Sequence, residues 1–170
     1  MGFLAEPSMQ YRESYLAMVD EWLSAKEKFI PSFIKVDCSD FSKMVTCLRN
    51  QSQGFDLKDG MVRCSSFWLI EDDLVIGVVN IRHYLTPQLE KLGGHIGYGI
   101  RPSQRLKGHG TEILRQGLKK AKELGIDIAL ITCDTDNLGS VKVIENNGGV
   151  IDSTGEVNGV PISRYLIKIE

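Results

Sequence analysis

The residues best suited to chemistry in this 170-residue chain are Arg105-Leu106-Lys107-Gly108-His109-Gly110-Thr111. Glycines at 108 and 110 let the backbone turn tightly and keep side chains out of its path. A helical pattern follows, and the first N–H groups of a helix have no partner within it. Aimed outward, with the positive end of the helix dipole behind them, such groups bind phosphate. Two familiar phosphate loops are excluded. The P-loop needs Lys and Ser or Thr after its last glycine, whereas Gly110 is followed by Thr111 and Glu112. The dinucleotide pattern needs a third glycine where Ile113 stands. The pattern that fits is R-x-x-G-x-G, from Arg105 to Gly110.

The elements that must position this loop are legible from periodicity. Ile96 to Ile100 is a strand-like run leading into it, and residues 95 to 100 are read as one strand. Residues 110 to 124 form a helix with Leu114, Gly117, Leu118, Ala121 and Leu124 on its apolar face, and Gly125 as its C-cap. Residues 126 to 132 read as a buried strand. Asp136 or Asn137 starts a short helix that Asn147-Gly148-Gly149 stops, and a last hairpin, 149 to 154 and 160 to 169, turns at Asn158-Gly159. Upstream, residues 2 to 7 form an edge strand or arm. A helix over 8 to 25 carries Tyr11, Tyr15, Met18, Val19, Trp22 and Leu23, and Pro31 breaks the pattern after Phe29 and Ile30. A second helix starts after Asp37, Ser39 or Asp40 with Phe41, Met44, Val45 and Leu48 as its stripe. Residues 50 to 60 are a polar loop. Ser66 to Ile70 and Leu74 to Ile81 make a hairpin around Glu71-Asp72-Asp73, and 84 to 94 is a second connection. In an antiparallel pair, Arg82-His83 and Gly94-His95 approach each other.

Composition narrows the class. The chain is 42% hydrophobic and 25% charged, with net charge -2, an ordinary globular composition. There is no electrostatic case for a nucleic-acid partner or an anionic membrane. Apolar runs such as Leu74 to Val79 are too short to span a bilayer. Length favours one domain over residues 1–170. Cys38, Cys47, Cys64 and Cys133 are widely spaced, read as free thiols of a cytoplasmic protein, and form no metal-ligand cluster. Cys133 is either a nucleophile or a buried strand residue.

The glycine pattern and this element order resemble the GNAT superfamily of N-acetyltransferases. The run Gly93-Gly94-His95-Ile96-Gly97-Tyr98-Gly99-Ile100-Arg101-Pro102-Ser103 is similar to a group of poorly characterised bacterial acetyltransferases. The resemblance implies an α/β (α+β) fold: a mixed, mainly antiparallel sheet of about seven strands flanked by about four helices, with a splayed central strand pair. It implies acetyl-CoA as co-substrate, without a metal. Its pantetheine arm would pair with the backbone of Ile100 and Arg101. Its pyrophosphate would lie on the N–H groups of Lys107, Gly108, His109, Gly110 and Thr111, with Arg105 and Lys107 adding charge. Asn137-Leu138-Gly139-Ser140 matches the superfamily's N-x-x-S segment, so Asn137 would bond the pantetheine and Ser140 would lie near CoA; both could equally cap the short helix. Many members carry a tyrosine acid where Ile144 stands. Their general base falls at His95, which a histidine could serve because it titrates near neutrality; a hydrogen bond across the hairpin is the alternative. Tyr98 would line the acetyl pocket, donate a proton or pack in the core. The implied activity is acetyl transfer to a primary amine of a small molecule or peptide through a ternary complex, by a chain that could dimerise. A CoA-binding sensor without turnover is the competing reading.

Overall fold

The computed structural model describes residues 2–27, 31–34 and 36–170. The break expected after Phe29 and Ile30 lies outside the described residues. Seven strands form two sheets. The first has the order β1 (Phe3–Ala5), β2 (Cys64–Glu71), β3 (Leu74–Arg82) and β4 (Ile96–Ile100), every neighbour antiparallel. The second places β7 (Val160–Lys168) between β5 (Ile128–Asp134) and β6 (Val150–Val157), again antiparallel. Both β-hairpin turns have two left-handed residues, Asp72-Asp73 and Asn158-Gly159, a geometry whose twist matches the flanking strands.

On one face of the first sheet lie α1 (Arg12–Ser24) and α2 (Phe41–Gln51). A 3-10 turn, Met9–Tyr11, takes up the start of the expected first helix. Tyr15, Met18 and Trp22 of α1 are buried against Phe41, Met44 and Trp68. Leu23, by contrast, is exposed. Asp40 caps α2 by accepting the Lys43 N–H. The opposite face carries α4 (His109–Glu123), whose Ile113, Leu114, Leu118 and Ala121 pack on Val79, Ile81 and Ile96 and, across the sheet boundary, on Ile131 and Ile167. Next to it stands α5 (Leu138–Asn146), ended by Gly148 in the left-handed region.

Other boundaries also differ from the sequence reading. The connection 84 to 94 contains α3 (Pro87–Lys91), a five-residue helix started by Pro87 and capped by Thr86, so the described residues hold five helices where about four were expected. The strand read at 126 to 132 is shifted to Ile128–Asp134, because pairing with β7 continues as far as Asp134↔Ile162.

Candidate active site

The helix α4 carries the chain from β4 across to β5, yet the two strands belong to different sheets. Register shows what lies between them. Arg101 N–H bonds Ile76 C=O, so Gly97, Gly99 and Arg101 turn their backbone groups to β3. Ile96, Tyr98 and Ile100 then turn theirs to the other edge. On β5, Ile169 N–H to Asp127 C=O and Thr135 N–H to Pro161 C=O fix the odd-numbered residues on β7. Leu130, Thr132 and Asp134 therefore face β4. A gap flanked by two rows of backbone donors and acceptors suits an extended amide-bearing ligand.

The gap closes at one end. His95 N–H donates to Leu130 C=O at 2.7 Å, and Leu130 N–H donates to His95 Nδ1 at 3.0 Å. Gly93 N–H reaches Thr132 Oγ1 at 2.8 Å, and Arg82 Nη1 bonds the carbonyls of Gly93 and Gly94 at 3.1 and 3.0 Å. Burial, then the nearby Arg82 charge, push the His95 pKa below its usual 6.5, with Glu90 opposing. The ring thus bonds β5; His83 bonds Ser65 Oγ instead, at 2.9 Å. The predicted approach of Arg82 and His95 is present, with Arg82 N–H on His95 C=O at 2.8 Å.

At the other end lies the glycine loop. Gly108 is the N-cap of α4 with φ 86°, and no side chain caps the helix. Glu112 N–H to Gly108 C=O is the first bond of the helix, so the N–H groups of His109, Gly110 and Thr111 precede the ladder. A Cβ on Gly108 would meet nothing within 4 Å, so the cradle opens outward. The cations are placed differently from the expectation of free phosphate partners. Arg105 pairs with Glu27 (Nη2 to Oε2, 3.2 Å), bonds Ile100 C=O at 3.1 Å through Nε and lies over Trp22 at 4.5 Å. Arg101 pairs with Glu21 at 2.6 Å, which holds that carboxyl below its usual range, and its N–H is spent on Ile76. Lys107 bonds only the Gln104 side chain among the described residues. The His109 ring turns to Glu71, 3.7 Å away. Leu106 is fully exposed at φ 60°, a left-handed conformation unfavourable for a side chain with a Cβ. Leu106→Asn is expected to raise stability by about 0.5–1 kcal/mol in denaturant titration, since asparagine tolerates that region better.

Tyr98 points into the α4 side of the gap with its hydroxyl buried and unpartnered among the described residues. Burial raises its pKa well above 10, the Ser140 side chain pulling it down slightly and Cys133 pushing it up. Cys133 is half-buried, and burial and then Asp134 raise its thiol to about 11, so it is a poor nucleophile. Asn137 caps α5 by accepting the Ser140 N–H at 3.1 Å. Ile144 is fully buried in the core. The sequence reading missed the backbone edges of Tyr98, Thr132 and Asp134; strand alternation around Arg101 could have found the first. Open strand edges and an uncapped glycine cradle at the mouth of the gap together fit acetyl-CoA.

Such a frame, a parted strand pair with a phosphate cradle at its mouth, is that of an acyltransferase drawing on acyl-CoA. The chain belongs to the GNAT acetyltransferase family: its acetyltransferase (GNAT) domain model matches residues 12–150. No curated protein matches the sequence. Among solved structures, the chain is similar to the microcin self-immunity acetyltransferase MccE in complex with acetyl-CoA and AMP, at 19% identity and TM-score 0.70, over 98% of this chain and 91% of that one. It is also similar to a GNAT acetyltransferase of Streptococcus pneumoniae, at 15% identity and TM-score 0.69, over 100% and 99% of the two chains. A third is a Salmonella typhimurium acetyltransferase that modifies the N-terminal serine of a ribosomal protein, at 16% identity and TM-score 0.67, over 98% and 94%. The protein is thus an acyltransferase that uses acetyl-CoA. No helix among the described residues is long and apolar enough to cross a membrane, and no metal-holding group of side chains occurs among them.

Proposed function

We propose that the acceptor is a primary amine of a small cytoplasmic molecule or peptide, acetylated directly within a ternary complex. The observation that carries this reading is the β4–β5 gap with its glycine cradle. In it, the pantetheine amides pair with the backbone edge at Tyr98 and with the N–H of Ile100, whose carbonyl Arg105 holds, beside Arg101. The pyrophosphate lies on the N–H groups of Lys107, Gly108, His109, Gly110 and Thr111. Lys107 adds charge directly, while Arg105 fixes the loop to α1 through Glu27 and Trp22. Asn137 and Ser140, at the start of α5, flank the pantetheine while Asn137 keeps its cap. The ribosomal-protein enzyme is named for modifying an N-terminal serine, which supports an amine acceptor without choosing its carrier here.

The amine nitrogen adds to the thioester carbonyl, its proton passes to water at the open gap, and the C–S bond breaks to release CoA thiolate. Tyr98 stays protonated because of burial, so it donates a hydrogen bond to the sulfur as charge develops there. The thiolate is itself a tolerable leaving group, so the tyrosine absent at Ile144 is not required. Release of free thiol from acetyl-CoA, screened over amines and amino-terminal peptides, tests the reading. Amine-independent hydrolysis alone would reject it. Tyr98→Phe is expected to lower kcat about 10- to 100-fold with little change in KM. An unchanged kcat would remove Tyr98 from the step.

A further inference from the structure

His95 holds Leu130 from both sides: its backbone N–H meets the Leu130 carbonyl, and its ring nitrogen meets the Leu130 N–H. In a continuing parallel ladder, two backbone groups on either side of one residue would share that task. Here one residue does both, and the ladder ends after a single step. Were the two strands paired in parallel, the acceptor for the Leu130 N–H would be the carbonyl of Gly93, which Arg82 holds instead. The ring nitrogen takes its place, so the join to β5 rests on the His95 side chain. The surroundings fit a fixed vertex. Gly94 lies so close that a Cβ would fall 2.9 Å from the Leu130 carbonyl carbon and 3.2 Å from the Ile131 Cα. The Gly93 N–H on Thr132 and the Arg82 guanidinium on two loop carbonyls tie the same corner to β5 and β3.

The ring bond also limits what else His95 can do. A nitrogen that accepts the Leu130 N–H carries no proton, so the neutral ring carries its proton on Nε2. Neither nitrogen has a free lone pair for an incoming amine. We infer that His95 is a positioning residue: its ring pins β5 to β4 at Leu130 and sets the width of the pantetheine gap, and it carries no proton in the reaction. The inference rests on the reading that pantetheine occupies this gap.

Two variants and two measurements on the whole protein test it. His95→Asn keeps an acceptor oxygen near the place of Nδ1, and His95→Leu removes it. Hydrogen exchange at the Leu130 amide reads the clasp without any ligand; calorimetry with acetyl-CoA reads the gap. Protection of Leu130 is expected in the native protein and in His95→Asn, with loss in His95→Leu. Acetyl-CoA affinity should stay within about threefold in His95→Asn and weaken about tenfold or more in His95→Leu, the size of a lost buried hydrogen bond. Native protection and affinity in His95→Leu would overturn the clasp. Native affinity in His95→Asn with kcat down about 100-fold, and the acid limb of the pH profile gone, would make His95 the base instead. Should His95→Leu fail to fold, the ring tautomer of the native protein decides from its nitrogen shifts: Nε2–H is expected, and Nδ1–H would refute the clasp. A protected Leu130 amide in a native protein that does not bind acetyl-CoA would overturn the pantetheine reading and the claim about gap width, while leaving the clasp standing.

Discussion

Gly94→Ala is expected to destabilise this protein by about 3 kcal/mol or more, combining backbone strain with overpacking against atoms that cannot rotate away. Gly94 has φ 59°, and its missing side chain would press on the Leu130 carbonyl and the Ile131 Cα. Relief would require β4 and β5 to separate at the corner where His95 joins them. Denaturant unfolding would record the loss as a lower midpoint with an unchanged slope. The variant should also bind acetyl-CoA less tightly than its stability alone explains. A midpoint shift under about 1 kcal/mol would show that the corner yields easily and is not a fixed vertex.

Gly108→Glu is the counterpart at the other end of the gap, where the loss should fall on the ligand and spare the fold. A Cβ at this position meets nothing within 4 Å, so the side chain starts from open space and not from the core. At φ 86° it costs about 1 kcal/mol of backbone strain. Its carboxylate would occupy the cradle and repel pyrophosphate at the N-terminus of α4. Acetyl-CoA affinity is expected to fall about 100-fold or more, read by calorimetry, while thermal unfolding shifts by only a few degrees. Unchanged affinity would mean that the phosphates lie elsewhere.

Much of this was legible because it is local. The R-x-x-G-x-G spacing needed only neighbours in sequence, and the Asp72-Asp73 and Asn158-Gly159 turns announced themselves by residue type. Short elements were harder: α3 has only five residues and no buried face, so no periodicity marks it. Pairing across the chain was harder still. Nothing near Arg105 or Arg101 says that each meets a carboxylate about 80 residues upstream, so the charge of Arg105 looked available for phosphate. The same limit applied to His95. Its spacing from the loop suggested a base, and nothing in that spacing announces the Leu130 amide at its ring, which lies 35 residues away and becomes a neighbour only after α4 has crossed.

The division into two sheets also follows the order of synthesis. All of β1–β4 is drawn from Phe3 to Ile100, and all of β5–β7 from Ile128 to Lys168. Chains tend to fold from the N-terminus as they emerge. The first ladder can therefore be complete while the second is still being made, its Tyr98 edge bare on the nascent chain. On the proposed reading, the site for acetyl-CoA is the seam between what is built first and what is built last, so the co-substrate would stabilise only a chain whose two parts have already met.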